Sequence, residues 1–339
     1  MDTVLRNTCE KFIANQNLLR ESFKREGIAM HLMGAAAMTG SGGELTLENL
    51  KKCEDFLDTK AGVFSSIRGI LKMPMIVNMA LSGKAEDYYE TVQRAYGDIK
   101  ENRGTKDERF FLAAMIIASA VNSDEEITAD VETAGKIFEL TDASGRFFAD
   151  MSCFVTASSI AAGGDVDIDA YAERFAFCKE ELRLSSGIGK VPEDLCMLIA
   201  ARDGDINEMC GRVLEIADAL GDKKISLGTG DAASMLAVLA TLDMSPDEIA
   251  ERVSEASTFL KEQKGFGFMG VGKEMRYLYA SMLVCMSYQA GPGADDTAAK
   301  ATTNNAIVGR FIMQQQLIIL TTIMTSVNMA NMMMVSNLG

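Results

Sequence analysis

The chain has very little of two residue types on which much enzyme chemistry depends. It contains one histidine, His31, and no tryptophan. A zinc site that uses two histidines is therefore excluded, and any Ser–His or Cys–His nucleophilic pair would have to use His31. His31 lies in the apolar stretch AMHLMGAAAM, where we predict a hydrogen-bonded core residue. The absence of tryptophan also argues against the aromatic platforms on which glycosidases bind sugars.

Paired cysteine motifs and secretion signals are also lacking. The first 26 residues mix charged and apolar side chains and contain no signal-peptide core. None of the cysteines forms a CxxC pair, and each lies among apolar residues at helical spacing. An odd number of such residues indicates small buried thiols in a reducing compartment. They are Cys9, Cys53, Cys153, Cys178, Cys196, Cys210 and Cys285.

Positive charge is scarce relative to negative charge, and the formal net charge is -15. A nucleic-acid binder needs a basic surface to neutralise phosphates, and an anionic membrane would repel this chain. The apolar fraction of 48% is enough for a large core. We therefore expect an acidic, cytoplasmic protein of bacterial type, with no nucleic-acid partner and no cofactor.

Only four prolines occur, against 23 methionines. Proline breaks helices whereas methionine favours them, and long runs with helical periodicity fill the chain. No segment alternates as a strand does. The sequence predicts an all-α protein.

Six glycines recur at intervals of 41 or 42 residues, and each precedes an apolar run such as FFLAAMIIASAV or ASMLAVLATLD. Polar turns such as NSDEEI and LDMSPDEI then lead into amphipathic helices, for example IDAYAERFAFCKEELRL. We interpret each unit as a buried helix followed by an exposed one, with glycine in a left-handed cap where the exposed helix ends. The glycines are Gly62, Gly104, Gly145, Gly187, Gly228 and Gly270.

Stacked helix pairs of about forty residues are compatible with an open α/α solenoid or with a closed toroid. We predict one continuous domain with three parts. Residues 1–60 form an irregular N-terminal helical unit, residues 61–290 form the helix-pair repeats, and residues 291–339 form a linker and an apolar C-terminal capping helix.

The segments AGVFSS and DERFFLAA, the short capping turns and a Gln-containing apolar C-terminal segment resemble a bacterial family known as domain of unknown function number four thousand and three. The resemblance covers about residues 10–330. It implies an all-helical, soluble protein, and it brings no activity, cofactor or site residue with it.

A glycine-rich loop, KGFGFMGVGKE from Lys264 to Glu274, formally satisfies two phosphate-binding patterns. Glu274 stands where a phosphate loop needs Ser or Thr. The segment before the loop also has the pattern of a charged helix, whereas a phosphate loop follows a strand. Similarly, Asp165, Asp167 and Asp169 have calcium-loop spacing, but Ala170 and Ala176 occupy the positions that need Gly and Glu. We predict a structural loop and a capped helix start, and no catalytic, cofactor-binding or metal-binding residue.

Paired carboxylates could carry out acid–base chemistry in the centre of a toroid. The candidates are Glu180 with Glu181, Asp295 with Asp296, and Asp124 with Glu125 and Glu126. Solvated caps and turns are the simpler interpretation.

The segment from Leu317 to Gly339 has no charged residue, and the stretch from Ile307 to Met334 around it is long enough to span a bilayer. Polar residues interrupt it, which disfavours a membrane anchor. We favour a helix that covers the last repeat. The alternatives are a contact with a second copy or another partner, and a tail anchor.

The sequence therefore favours a non-enzymatic helical-repeat protein that binds an unknown protein or peptide, with homo-oligomerisation through the C-terminal helix as a further possibility. A toroid enzyme that uses paired carboxylates and a tail-anchored scaffold are the alternatives.

Overall fold

The computed structural model describes residues 1–41, 45–61, 71–104, 110–121, 123–141, 147–185, 191–227, 230–266 and 271–289. These residues form helices joined by short turns, and they contain no strand, as the sequence predicts. The α-helices are α1 (Thr3–Ser22), α2 (Ile28–Gly40), α3 (Leu47–Lys60), α4 (Lys72–Ser82), α5 (Ala85–Arg103), α6 (Phe111–Ala118), α7 (Asp124–Glu139), α8 (Phe147–Ala161), α9 (Ile168–Ser185), α10 (Glu193–Ala200), α11 (Ile206–Asp222), α12 (Ser234–Leu239), α13 (Pro246–Lys261) and α14 (Lys273–Gln289). A short 3₁₀ turn, Gly230–Ala233, leads into α12.

Buried and amphipathic helices alternate along the chain. Every residue of α6 and α12 is buried, which explains why their sequences are apolar all round. The helix α9 instead buries one stripe, formed by Tyr171, Phe175, Cys178 and Leu182. The helix-pair interpretation of the sequence is confirmed by this alternation.

Helix ends follow their local sequence. At the start of α7, Ser123 and Glu126 form a reciprocal capping box. At the start of α13, Ser245 accepts from the Glu248 N–H, and proline occupies the first turn. Gly104 ends α5 in the left-handed conformation, with φ of 60°. The other five glycines of the predicted series lie outside the described residues.

The chain divides into two compact units, and the unit of residues Leu47–Gly164 contains α3 to α8. Here α6 packs against α8 in the buried layer, while α5 packs against α7 in the amphipathic layer. Tyr88 on α5 donates to the Met115 carbonyl of α6 at 2.9 Å. The Arg103 guanidinium, at the end of α5, lies over three rings, those of Phe110, Phe138 and Phe154.

The other unit contains Met1–Thr46 and the described residues from Asp165 onwards. Its buried layer runs through α10, α12, α14 and α2, and its amphipathic layer through α9, α11, α13 and α1. The first two helices of the chain therefore extend both layers beyond the last described pair. Local sequence contains no sign of this arrangement, because it joins segments more than 200 residues apart.

Aromatic packing attaches α1 to the end of this unit. The Phe12 ring on α1 lies 5.6 Å from that of Tyr279 on α14 and 6.2 Å from that of Phe266. Phe12 and Tyr279 are almost completely buried. Polar contacts also hold α1 in place, since Asp2 forms a partly exposed ion pair with Arg252 at 2.7 Å and Gln16 donates to the Lys264 carbonyl.

Candidate functional site

Two arginines on neighbouring helices each hold the turn that follows a buried helix. Arg174, on α9, donates from Nε to the Ala200 carbonyl and from Nη1 to the Gly204 carbonyl, both at 3.0 Å. Its Nη2 donates to the Arg202 carbonyl. The last carbonyls of a helix lack intrahelical hydrogen-bond partners, and this end of the helix carries a partial negative charge. A guanidinium group placed there donates to the carbonyls and its positive charge is stabilised by the helix dipole.

Arg212, on α11, repeats this arrangement one pair further along the stack. Its Nε donates to the Ala240 carbonyl at 2.8 Å, and its Nη2 donates to the Met244 carbonyl at 2.7 Å and to that of Leu242. We call these two sets of bonds, centred on Arg174 and Arg212, the arginine clasps. Each clasp crosses from one helix pair to the next.

The clasps set the register of three amphipathic helices. The carbonyls that Arg174 binds immediately precede Asp205, the N-cap of α11. Those that Arg212 binds immediately precede Ser245, the N-cap of α13. Because each arginine is itself in the first half of its helix, the starts of α9, α11 and α13 lie side by side.

A row of carboxylates results at this edge of the unit. Asp165, Asp203 and Asp243 each stand three residues before the first residue of α9, α11 and α13, and all three are exposed. We call these three residues the acidic edge. The N-caps Asp167 and Asp205 add two further exposed carboxylates beside them. The edge therefore presents negative charge at a spacing set by helix packing, about 8–10 Å from one helix to the next.

Local bonds favour the ionised form of one carboxylate beside the acidic edge. The backbone N–H groups of Asn207 and Glu208 donate to Asp205 and lower the pKa of its carboxyl below the usual range. Asp205 therefore caps α11 and also adds negative charge beside the acidic edge.

Sequence reasoning missed the clasps, although a signal was present. Arg174 stands seven residues after the cap Asp167, and Arg212 stands seven residues after the cap Asp205. Arg252 has the same relation to Ser245, and it binds Asp2 and Glu248. A search for positions that repeat relative to the caps would have selected these arginines.

The lone histidine is a core residue, as predicted. His31 is buried, and its Nε2 lies 2.8 Å from the Phe23 carbonyl oxygen. This bond ties the start of α2 to the turn that follows α1.

The described part of the glycine-rich loop has structural contacts. A helix, α13, precedes it, and Gly265 has a φ of +104°. A Cβ at Gly265 would lie 2.7 Å from Gln16 Nε2 and 2.8 Å from Ile28 Cδ1, so α1 and α2 pack directly on this backbone. Lys273 lies over the Tyr277 ring at 5.3 Å. Residues 267–270 of this loop lie outside the described residues.

The aspartates with calcium-loop spacing begin α9 in the predicted way. Asp167 accepts from the Asp169 and Ala170 N–H groups, both at 3.1 Å, as an N-cap does. Across the part of the chain that the structure describes, no group of three or more potential ligands could hold a metal ion.

The predicted carboxylate pairs do not form a shared site among the described residues. Glu180 binds Arg183 at 2.8 Å on the exposed face of α9, and this partner lowers its pKa. Asp124 binds Arg94 at 2.6 Å, and Glu126 belongs to the capping box of α7. Asp295 and Asp296 lie outside the described residues.

The charge-free segment from Leu317 to Gly339 also lies outside the described residues, so its role as a cap, a contact or an anchor stays a prediction. Among the helices that the structure describes, none combines the length and the apolar character needed to cross a bilayer.

Comparison with known proteins places the chain in one family. The family described as "Protein of unknown function (DUF4003)" matches residues 15–317, most of the chain. No curated protein and no solved structure matches this chain. The resemblance noted in the capping turns and apolar runs is thereby confirmed, and the chain belongs to the DUF4003 family.

Proposed function

We propose that this protein is a non-enzymatic helical-repeat binding protein, and that its acidic edge receives a basic segment of a partner protein or peptide. The observation that carries the proposal is the placement of Asp203 and Asp243 in the two turns that the arginine clasps hold, with Asp165 at the equivalent position before α9. Repeat stacks bind extended partners along surfaces whose features recur once per repeat.

The edge has two properties that suit a binding surface. Its aspartates precede the caps, so helix capping is carried out by their neighbours Asp167, Asp205 and Ser245. The charge they present is complementary to lysine and arginine, and complementary fields speed association and select against acidic partners.

Rigid placement is the second argument. Each clasp binds three carbonyls, those of every second residue along the turn that carries an edge aspartate. Asp203, for example, lies between Arg202 and Gly204, whose carbonyls both accept from Arg174. A turn that is already ordered loses little conformational entropy when a partner binds.

A variant with Asp165→Lys, Asp203→Lys and Asp243→Lys tests the proposal. Its matched control carries Glu173→Lys, Glu215→Lys and Glu262→Lys, which remove the same number of exposed carboxylates from the same three-helix region but outside the edge. Each protein is immobilised, partners are captured from a lysate of the cells that produce the protein, and the leading candidate is purified and titrated by calorimetry.

We expect the purified partner to bind wild type and control alike, to bind the edge variant at least tenfold more weakly, and to lose affinity as salt is raised. Equal binding to the edge variant would overturn the role of the edge. Failure of wild type to bind any purified candidate would contradict the binding function itself.

A further inference from the structure

Two buried thiols on neighbouring helices lie in contact. The sulfurs of Cys178 on α9 and Cys210 on α11 are 3.6 Å apart and share a hydrogen bond, although the residues are 32 positions apart in sequence. Both residues are completely buried. A third buried thiol, that of Cys196 on α10, interacts with Cys178 and contributes to raising the pKa of Cys178. Three consecutive helices thus contribute one cysteine each to a single cluster.

We propose that Cys178 and Cys210 form a redox-sensitive dithiol, which a peroxide oxidises reversibly to an intramolecular disulfide between α9 and α11. The inference is independent of the proposed binding function. The two cysteines are proposed as a site of reversible modification, and the oxidant is a small uncharged hydroperoxide.

Geometry makes this pair suitable. A disulfide has an S–S distance of about 2.05 Å, so the sulfurs must approach by roughly 1.5 Å, which side-chain rotation and a small helix shift can supply. The helices that carry them already pack against each other. The fold therefore holds the two thiols at a high effective concentration that the unfolded chain lacks.

The pKa values of the two thiols shift in opposite directions, which favours Cys210 as the thiolate that attacks the peroxide. The hydrogen bond with Cys178 lowers the pKa of Cys210, which favours the thiolate there. Hydrogen bonds with Cys196 and Cys210, together with burial, raise the pKa of Cys178. The isolated thiols of Cys9 and Cys285 behave differently, because burial raises the pKa of each to about 12.

The reaction balances in two steps. The Cys210 thiolate attacks one oxygen of hydrogen peroxide, which gives a sulfenic acid and hydroxide. The Cys178 sulfur then attacks the Cys210 sulfur, the S–O bond breaks, and the thiol proton leaves with hydroxide as water. Overall, two thiols lose two electrons and two protons, and one peroxide becomes two waters. A dithiol reductant reverses the process by thiol–disulfide exchange.

Burial determines which oxidants can act. A small neutral peroxide can enter through local openings of the packed helices, whereas a large or charged disulfide oxidant is excluded until the unit opens further. Once formed, the disulfide closes a chain loop of about thirty residues and connects the two helices that carry the arginine clasps.

The test uses the full-length protein at neutral pH with hydrogen peroxide, followed by thiol counting in denaturant and peptide mapping without reduction. We expect two of the seven thiols to be lost, a crosslink between the Cys178 and Cys210 peptides, and full recovery with dithiothreitol. The oxidised form should melt about 5 °C or more above the reduced form, because the crosslink restricts the unfolded chain.

The matched variants are Cys178→Ala and Cys210→Ala, with Cys285→Ala as a control for an isolated buried thiol. The first two should lose the crosslink, and the control should keep it. A thiol-specific azo oxidant, which takes up the same two electrons and two protons, is used in parallel because peroxide also oxidises methionine.

Mapping of the wild-type protein keeps the test decisive even if a variant fails to fold. A dominant crosslink between other cysteines would overturn the proposal, and so would thiol loss that requires denaturing conditions. Formation of the crosslink at the same rate in denaturant would show that the folded contact contributes nothing.

Discussion

Arg212 on α11 donates to the carbonyl of Met244 at 2.7 Å, across the boundary between two helix pairs. The same guanidinium satisfies the carbonyls of Ala240 and Leu242. The side chain is only half-buried, yet it joins the end of one buried helix to the start of the next amphipathic helix. Neighbouring pairs are therefore connected by directional bonds as well as by apolar packing.

Replacement of Arg212 by methionine should lower the free energy of unfolding by about 2–4 kcal/mol, because three carbonyls lose a charged donor. Urea denaturation measures the loss. Arg212→Lys should recover only part of the stability, since an ammonium cannot reproduce the fork. The control Arg183→Met removes an exposed pair with Glu180, which water and salt screen, and should leave the stability almost unchanged. Equal losses for Arg212→Met and the control would contradict the clasp.

Two glycines with nearly the same positive φ should respond differently to replacement by alanine. Gly265 and Gly204 have φ of +104° and +101°, but a Cβ meets Gln16 and Ile28 only at Gly265. Gly204→Ala should cost about 1–2 kcal/mol from backbone strain. Gly265→Ala should cost roughly 1–3 kcal/mol more, because the added methyl overpacks the contact with α1 and α2.

Thermal and urea unfolding of these two variants provide the comparison. If both substitutions have the same effect, α1 and α2 do not pack on Gly265 in solution.

The N-terminal helix should contribute strongly to the stability of its unit. Phe12→Ala removes a fully buried ring from contact with Phe266 and Tyr279, and we expect a loss of about 3–5 kcal/mol in urea. Leu18→Ala, on the same helix but 37% exposed, should cost less than about 1 kcal/mol. A small effect of Phe12→Ala would mean that α1 is detached from α14.

The pH dependence of stability should contain a contribution from Asp130. Burial, reinforced by the charge of Glu126, raises the pKa of Asp130 to about 6. Because the folded state holds this proton more tightly than the unfolded state, the contribution of Asp130 to stability is complete below about pH 4 and is lost as pH rises through about 6. Asp130→Asn should therefore raise the melting temperature at pH 7 by about 1–3 °C and have little effect at pH 4.

Glu132→Gln, an exposed carboxylate on the same helix, is the control for the change in net charge. A similar gain from this control at pH 7 would assign the effect to overall repulsion instead of to Asp130.

The order of the helices could be predicted from the sequence because the signals are local. Caps such as Ser123, the left-handed Gly104, and the buried stripe of Tyr171, Phe175, Cys178 and Leu182 depend on neighbours within one or two turns. The buried thiols and the core role of His31 followed equally from their apolar surroundings. The negative surface was visible in the composition alone.

Contacts between distant segments were decided by the tertiary structure. The hydrophobic periodicity of a helix shows that one of its faces packs against an apolar partner. Because any apolar stripe can be that partner, periodicity does not identify α1 as the neighbour of α14. The bonds from Arg174 and Arg212, and the approach of Cys178 to Cys210, arise once helix packing has set the register of successive pairs. Local chemistry thus determined the helices and their faces, while packing between pairs determined which side chains meet.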